Sequence, residues 1–411
     1  MSASKDVPVV KPVTKHLVLW ALCGAHLFND TFQSVITAIF PLLKENLTLS
    51  FFMVGLISTV FQLSSSIFQP IVGWYTDKHP MPYSLPVGMT STFIGIMLLA
   101  GAWNFSLVLV AVAFIGFGSA VLHPEASRLA YMASGGRLGF AQSVFQVGGN
   151  TGSALGPLLA VLVVGQYQHN IFWLGILVFA AILWMLPLSR WYARQLKRSA
   201  TMAKQAATEN KSGATTTPLN GGLTSVQIFW TVVVLLILVF SKNLYTVSLS
   251  NFLTFYLIEK YHVTVSQSQL FLFAFLFAIA AGTLVGGPIG DKYGRRRVIW
   301  FSILGAAPFA LLMPFIHSLW LTCVLSMIAG AIMGSAFPAI IIYAQELMPG
   351  KVGTVGGLFF GFSFGAGAIA ATLLGILADY WSIEFVYEVC AFLPLIGLIT
   401  WFLPKVKRAA A

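Results

Sequence analysis

Charge is what this chain lacks most. Only 9% of its 411 residues are Asp, Glu, Lys or Arg, and just 12 are acidic, where a water-soluble domain carries about 25% charged residues. Water cannot cover so uncharged a chain, which excludes a soluble globular enzyme or binding domain. Cysteine is scarce as well. Cys23, Cys323 and Cys390 are scattered through apolar stretches, which argues against a disulfide framework or a thiolate metal site. Apolar–polar alternation in segments of about ten residues is not visible, so a transmembrane β-barrel is not indicated. There is no His-Glu-x-x-His, no Ser-His-Asp grouping and no soluble catalytic domain, so neither an enzyme nor a cofactor is expected.

What the chain has is apolar length. Residues of hydrophobic type make up 58% of it and the mean hydropathy is +0.86. Runs of about twenty such residues recur throughout, each long enough to cross a bilayer as a helix. Breaks at charges, Pro and Gly divide the chain into twelve spans: 16–43, 51–76, 83–103, 106–132, 138–165, 170–189, 226–257, 266–290, 297–316, 319–346, 352–378 and 383–403. The expected fold is all-α and integral to the membrane. A polar tail (1–15) precedes a first six-helix bundle (16–189), a Ser/Thr/Gly-rich basic linker (190–225), a second bundle (226–404) and a short tail (405–411). The N-terminal "MSASKDVPVVKPVTK" has no short apolar core with a small-residue cleavage site, so no cleaved signal peptide is expected.

The net charge of +11 would suggest nucleic acid in a soluble protein, but its placement points elsewhere. When the spans alternate, the N-terminus, the 77–82 loop, Arg137, the linker, the 291–297 loop, Lys351 and the C-terminal "KVKR" share one side. The other side keeps Lys44 and Lys260. The positive-inside rule makes the crowded side cytoplasmic, with both termini there. The partners expected are the lipid bilayer, a small molecule and protons, not nucleic acid, and nothing calls for an obligate oligomer.

The halves repeat each other. "TFQSVITAIFPLLKE" (31–45) aligns with "TVSLSNFLTFYLIEK" (246–260), "IVGWYTDK" (71–78) with "PIGDK" (288–292), and "GSA" at 118–120 with "GSA" at 334–336, the offset staying within 214–216 residues. Two six-span repeats joined by a basic linker describe a transporter with a midplane site between its halves.

Three motifs sharpen this. "GGPIGDKYGRRR" (286–297) matches Gly-x-x-x-Asp-(Arg/Lys)-x-Gly-(Arg/Lys)-(Arg/Lys) through Gly287, Asp291, Lys292, Gly294 and Arg295. Gly287 permits close helix contact, Gly294 a tight turn, and Asp291 can pair with bases or cap a neighbouring helix. The first-half copy keeps Gly73, Asp77 and Lys78 but has Pro80 where Gly is expected and no basic pair after it. In the fifth span Gly148, Gly152 and Gly156 fall at i, i+4, i+8 with Pro157 following, so one helix face is bare backbone and suits tight packing.

The third feature is a set of polar residues where they cost energy, roughly 2.5–3.5 kcal/mol for a central charge on insertion scales. His26 and Asp30 share one face of the first span, with Asn29 and Gln33 beside them. His123, Glu125 and Arg128 interrupt the fourth span, Gln142, Gln146 and Asn150 line one face of the fifth, and Lys242 and Tyr245 break the seventh. These groups should face a watery cavity or one another. No metal site is expected, since His123 has no second ligand at a metal spacing. Phe359, Phe360, Phe362 and Phe364 read as packing or lipid-facing side chains.

These residues carry a resemblance. The 286–297 loop is similar to the loop signature of the major facilitator superfamily, and Gly-x-x-x-Gly-Pro in the fifth span to the motif of its drug/proton exchangers. "HLFNDTFQS", "HPEASR", "MASGGRLGFAQSVFQVGGNTG" and "YAQELMPG" resemble the branch of that superfamily that exports fosmidomycin or fosfomycin. The likeness implies a twelve-helix, proton-driven antiporter of phosphonate antibiotics in the bacterial inner membrane, working by alternating access. One departure is that Val112 and Ile115 stand where such exporters often carry Arg and Gln in the fourth span, ahead of Gly116 and Gly118. The expectation is that Asp30, His26, His123 and Glu125 couple protons. Gln33, Arg128, Gln142, Gln146, Asn150, Lys242 and Tyr245 would bind substrate, with Arg128 or Lys242 holding the phosphonate. The alternative is a proton-coupled importer of a small organic acid or phosphorylated metabolite.

Overall fold

The computed structural model describes residues 13–49, 51–165, 167–209 and 223–404. Among them every regular element is helical. Span 1 is His16–Ala38, span 2 Phe51–Lys78, span 3 Ser84–Ala100 and span 4 Phe105–Ala133. Span 5 is Leu138–Leu159, prolonged by a π turn over Ala160–Val164, and span 6 is Ile171–Glu209. Span 7 is Ser225–Tyr261, span 8 Val265–Tyr293, and span 9 Arg295–Leu304 followed by Ala307–Leu312. Span 10 is Leu319–Gly334 continued as Ala336–Leu347, span 11 Val352–Tyr380, and span 12 Ile383–Cys390 continued as 3₁₀ turns over Leu393–Phe402. Ten of these stretches are long and apolar enough to cross a membrane, and span 3 is a shorter apolar helix.

The helices start and stop where local chemistry demands. Thr224 and Thr264 each form a capping box with the Gln three residues on, opening spans 7 and 8. Asn104 caps Leu107 at the start of span 4, and Ser382 caps Phe385 at the start of span 12. Span 8 stops at Gly294, whose φ of 98° lies in the left-handed region that glycine tolerates. Span 6 runs through the first part of the linker expected at 190–225. Its Arg190, Arg194, Lys197 and Arg198 carry the helix out of the apolar stretch rather than ending it. The rest of that linker (210–222), most of the N-terminal tail (1–12) and the C-terminal tail (405–411) lie outside the described residues.

Helix packing follows side-chain size. Span 1 lies along span 5 because three glycines clear the way. A Cβ at Gly148 would strike the Cys23 carbonyl, one at Gly152 the Leu27 carbonyl, and one at Gly156 the Ser34 side chain. The bare face read from the sequence is therefore a packing face. Span 3 packs on spans 4 and 6, and span 8 on span 10. Between halves, span 2 meets span 11 and span 5 meets span 8. Leu17, Trp20, Phe172, Trp173, Phe229, Trp230 and Phe277 remain exposed, an apolar surface far larger than a soluble monomer shows and suited to lipid.

Candidate functional site

Two residues of span 1 and one of span 4 meet between the helices. His26 Nε2 lies 3.3 Å from Asp30 Oδ2, and His123 Nε2 lies 3.7 Å from Asp30 Oδ1. Both imidazoles are buried, and the Asp30 side chain is 12% exposed. Their orientation is set from behind. His26 Nδ1 is 2.8 Å from the Phe145 carbonyl, and His123 Nδ1 is 2.9 Å from the Ser119 carbonyl. A carbonyl oxygen only accepts, which assigns the hydrogen of each neutral ring to Nδ1 and leaves Nε2 bare toward Asp30. Asn29 and Gln33 donate to Asp30 Oδ1 at 2.9 and 3.1 Å. Two bare nitrogens and a carboxylate thus converge, a geometry with room for one or two shared protons. One ligand atom from each of the three residues lies within 4.8 Å of the others, so the same groups could hold a metal ion. No second ligand for His123 stands at a metal spacing along the sequence. The set forms only in the fold, because its ligands come from spans 1 and 4.

Gly149 makes the space. A Cβ there would sit against His26 Nε2 and Asp30 Oδ2. Aromatic rings close the cluster on its other sides. Phe145 stacks on His26 at 4.1 Å, and Phe360 meets His123 at 4.9 Å and His26 at 6.4 Å. Phe364 lies edge-on to His123 at 5.0 Å. Phe359 and Phe360 are buried rather than lipid-facing. The i, i+4 spacing of Phe360 and Phe364 was the available signal that both share one face.

Phe364 also lines a cavity of about 940 Å³ between the halves. Thr37, Gln62, Ser153, Asn243 and Ser363 line it too, bringing together spans 1, 2, 5, 7 and 11 in the half of the molecule away from the basic loops. Lys242 is half-buried beside it. Its Nζ stands 5.6 Å from the Phe337 ring centroid and 3.5 Å from Asn243 Oδ1, and it makes no ion pair among the described residues.

The other polar residues expected in the cavity lie elsewhere. Glu125 follows His123 by two residues, about 200° around the helix, and so faces away from Asp30. It is fully buried, takes a hydrogen bond from Ser84 at 2.9 Å and pairs with Arg128 at 2.6 Å. Arg128 also pairs with Asp77 at 2.6 Å and donates to the Thr76 carbonyl and hydroxyl at 2.9 and 3.0 Å. Its fork is committed near the basic loops, which corrects the expectation that it lines the cavity. Tyr245 sits in the core of the second half with Tyr256 and Tyr387, not with Asp30. Gln142 accepts from Ser127, to which Gln345 of span 10 also donates, both at 3.2 Å. Asn150 reaches Thr283 of span 8 at 3.4 Å, and Gln146 Oε1 is buried with no hydrogen-bond partner among the described residues.

The basic face is closed by a matched pair of contacts. Asp77 accepts the backbone N–H groups of Gly353 and Thr354 at 2.9 and 2.7 Å, capping the start of span 11. Asp291 accepts those of Gly139 and Phe140, both at 2.9 Å, capping the start of span 5, and pairs with Arg295 at 2.6 Å. A carboxylate at a helix N-terminus satisfies orphan donors and meets the positive end of the dipole. Gly73 packs against Gly353, and Gly287 against Gly139, with no room for a Cβ at either. Lys78 and Lys292 instead lie over the rings of Trp74 and Tyr293. Pro157 sits inside span 5 just before its π turn.

A family model described as Major Facilitator Superfamily matches residues 22–261 and 238–411. The chain belongs to the major facilitator superfamily. It is 51% identical over 403 residues to the fosmidomycin resistance protein of Escherichia coli (strain K12), covering 98% of this chain and 96% of that one. It is 40% identical to an uncharacterized major facilitator transporter, YfnC, of Bacillus subtilis (strain 168), covering 98% and 97%. Solved superfamily members share the fold at low identity. The transporter FucP in its outward conformation aligns with a TM-score of 0.70 at 15% identity, over 94% of this chain and 98% of that one. The human organic anion transporter MFSD10 aligns with a TM-score of 0.71 at 14% identity, over 95% and 99%. This superfamily member is therefore a multi-pass membrane transporter.

Proposed function

We propose that this transporter exports phosphonate antibiotics such as fosmidomycin or fosfomycin across the bacterial inner membrane in exchange for protons. The observation that carries the reading is the convergence of Asp30, His26 and His123 beneath a cavity shared by both halves, in a chain half identical to a fosmidomycin resistance protein. The basic face is cytoplasmic by the positive-inside rule, so the described state, closed on that face, is outward-facing.

Asp30 carries the exchanged proton and the two imidazoles relay it. Lys242 meets the anionic drug, because Arg128 is occupied by Glu125 and Asp77. An anionic drug beside Asp30 favours the protonated carboxyl, so occupancy of one cavity would by itself carry drug and proton the same way. Exchange follows when proton and drug favour opposite conformations. The membrane potential assists, since an anion leaving a negative interior gains about 2.3 kcal/mol per charge per 100 mV. Opening the cytoplasmic face requires Asp77 and Asp291 to release spans 11 and 5, so those contacts act as the gate, with the chain working as a monomer. A drug-tolerance panel in an efflux-deficient host tests the reading. Expression should raise tolerance to fosmidomycin or fosfomycin, and sensitisation would instead indicate import.

A further inference from the structure

We propose that His26, Asp30 and His123 form a binding site for one divalent transition-metal ion, ligated by the two Nε2 atoms and the Asp30 carboxylate. The ion and the exchanged proton would compete for the same three side chains, so the metal-bound chain is a form apart from the exchanging one, and the site goes beyond drug and proton transport.

The donor set is two imidazoles and one carboxylate, a combination that suits Zn²⁺, Cu²⁺ or Fe²⁺ and leaves further coordination positions open. The positions are close to what an ion requires. His26 Nε2 and His123 Nε2 stand 3.3 and 3.7 Å from the two carboxylate oxygens, and one ligand atom from each residue lies within 4.8 Å of the others. Ligands about 2.0–2.2 Å from a shared ion stand about 3–3.5 Å apart, so modest side-chain contraction completes the set. His26 and Asp30 are held one turn apart on span 1, and span 4 supplies the third ligand.

Two further observations favour an ion over a mere polar contact. Each ring donates Nδ1–H to a backbone carbonyl, of Phe145 at 2.8 Å and of Ser119 at 2.9 Å. That backing bond fixes the tautomer a metal ligand needs and holds the ring in place. In addition, His123 is fully buried and its Nε2 has no hydrogen-bond partner among the described residues, although it points at a carboxylate. A bound ion gives that nitrogen a partner and ties span 1 to span 4.

The test uses the full chain, purified without an affinity tag and stripped with a chelator. Titration with Cu²⁺ should reach one tightly held ion per chain, and its electron paramagnetic resonance spectrum should show splitting from two imidazole nitrogens. Zn²⁺ should raise the melting temperature of the same protein. Both responses should be lost in His123→Ala and in His26→Ala, and size-exclusion profiles would check that these variants fold. Absence of a stoichiometric ion in the unaltered chain, a spectrum without two nitrogens, or binding that persists when both histidines are replaced would each overturn the site. None of these readouts depends on transport, so a failed drug assay leaves the site standing and a failed titration leaves the transport reading intact.

Discussion

Asp77 accepts the backbone N–H of Thr354 at 2.7 Å across 277 residues of sequence, so a loop carboxylate of the first half caps a helix of the second. Asp291 returns the contact to Phe140. Each bond joins the halves in this closed state, and the proposed gating role makes these carboxylates weights on the conformational balance.

Replacing either by Asn should therefore favour opening of that face. Loss of a charged cap is worth about 1–2 kcal/mol, a shift of about 5–30-fold in population. A cysteine at Ser127, buried between Gln142 and Gln345, reports it in a background lacking Cys23, Cys323 and Cys390. Its labelling by an impermeant reagent from the basic side should rise by that factor in Asp77→Asn and Asp291→Asn. Unchanged labelling would remove them from the gate.

Arg128→Ala should destabilise the protein rather than weaken substrate binding. It strands Glu125, which is fully buried and paired at 2.6 Å, and breaking one partner of such a pair costs about 3–5 kcal/mol. Thermal denaturation should show a large loss that Glu125→Gln combined with Arg128→Gln partly restores. An intact melting temperature with a raised KM for drug would return Arg128 to the binding site.

Gly149→Ala places a methyl group against His26 Nε2 and Asp30 Oδ2. Drug tolerance should fall toward that of cells without the transporter while the protein still reaches the membrane in normal amount, as an immunoblot would show. Full tolerance in this variant would mean that the cluster can be filled without consequence.

Lys242 should matter according to the charge of the drug. A charge-assisted hydrogen bond contributes about 1.5–3 kcal/mol, so Lys242→Ala should raise KM for an anionic phosphonate by about 10–150-fold and leave an uncharged substrate unaffected. Lys242→Arg keeps the charge and should retain most of the affinity. Equal effects on both substrates would point to a packing role.

Much of the fold was readable because bilayer thickness demands an apolar run of about twenty residues for each crossing, and the glycine and aspartate positions of the two loops repeat at a nearly constant offset. The site was readable only where its members share a helix face, as His26 and Asp30 do. Which face of span 4 turned inward was not. His123 and Glu125 are two residues apart, yet one meets Asp30 and the other Arg128. Gly149 lay hidden among glycines read as packing, and Phe360 among aromatics read as packing or lipid-facing. Their importance depends on which helices cross at that depth, information carried by tertiary packing rather than by local spacing.

The coupling claim is tested most directly by drug-dependent proton movement in liposomes containing the purified transporter and an entrapped pH indicator. Unaltered protein should move protons against the direction of fosmidomycin. Asp30→Asn should abolish that movement while still binding drug. Proton-coupled exchange at the unaltered rate in Asp30→Asn would contradict the account.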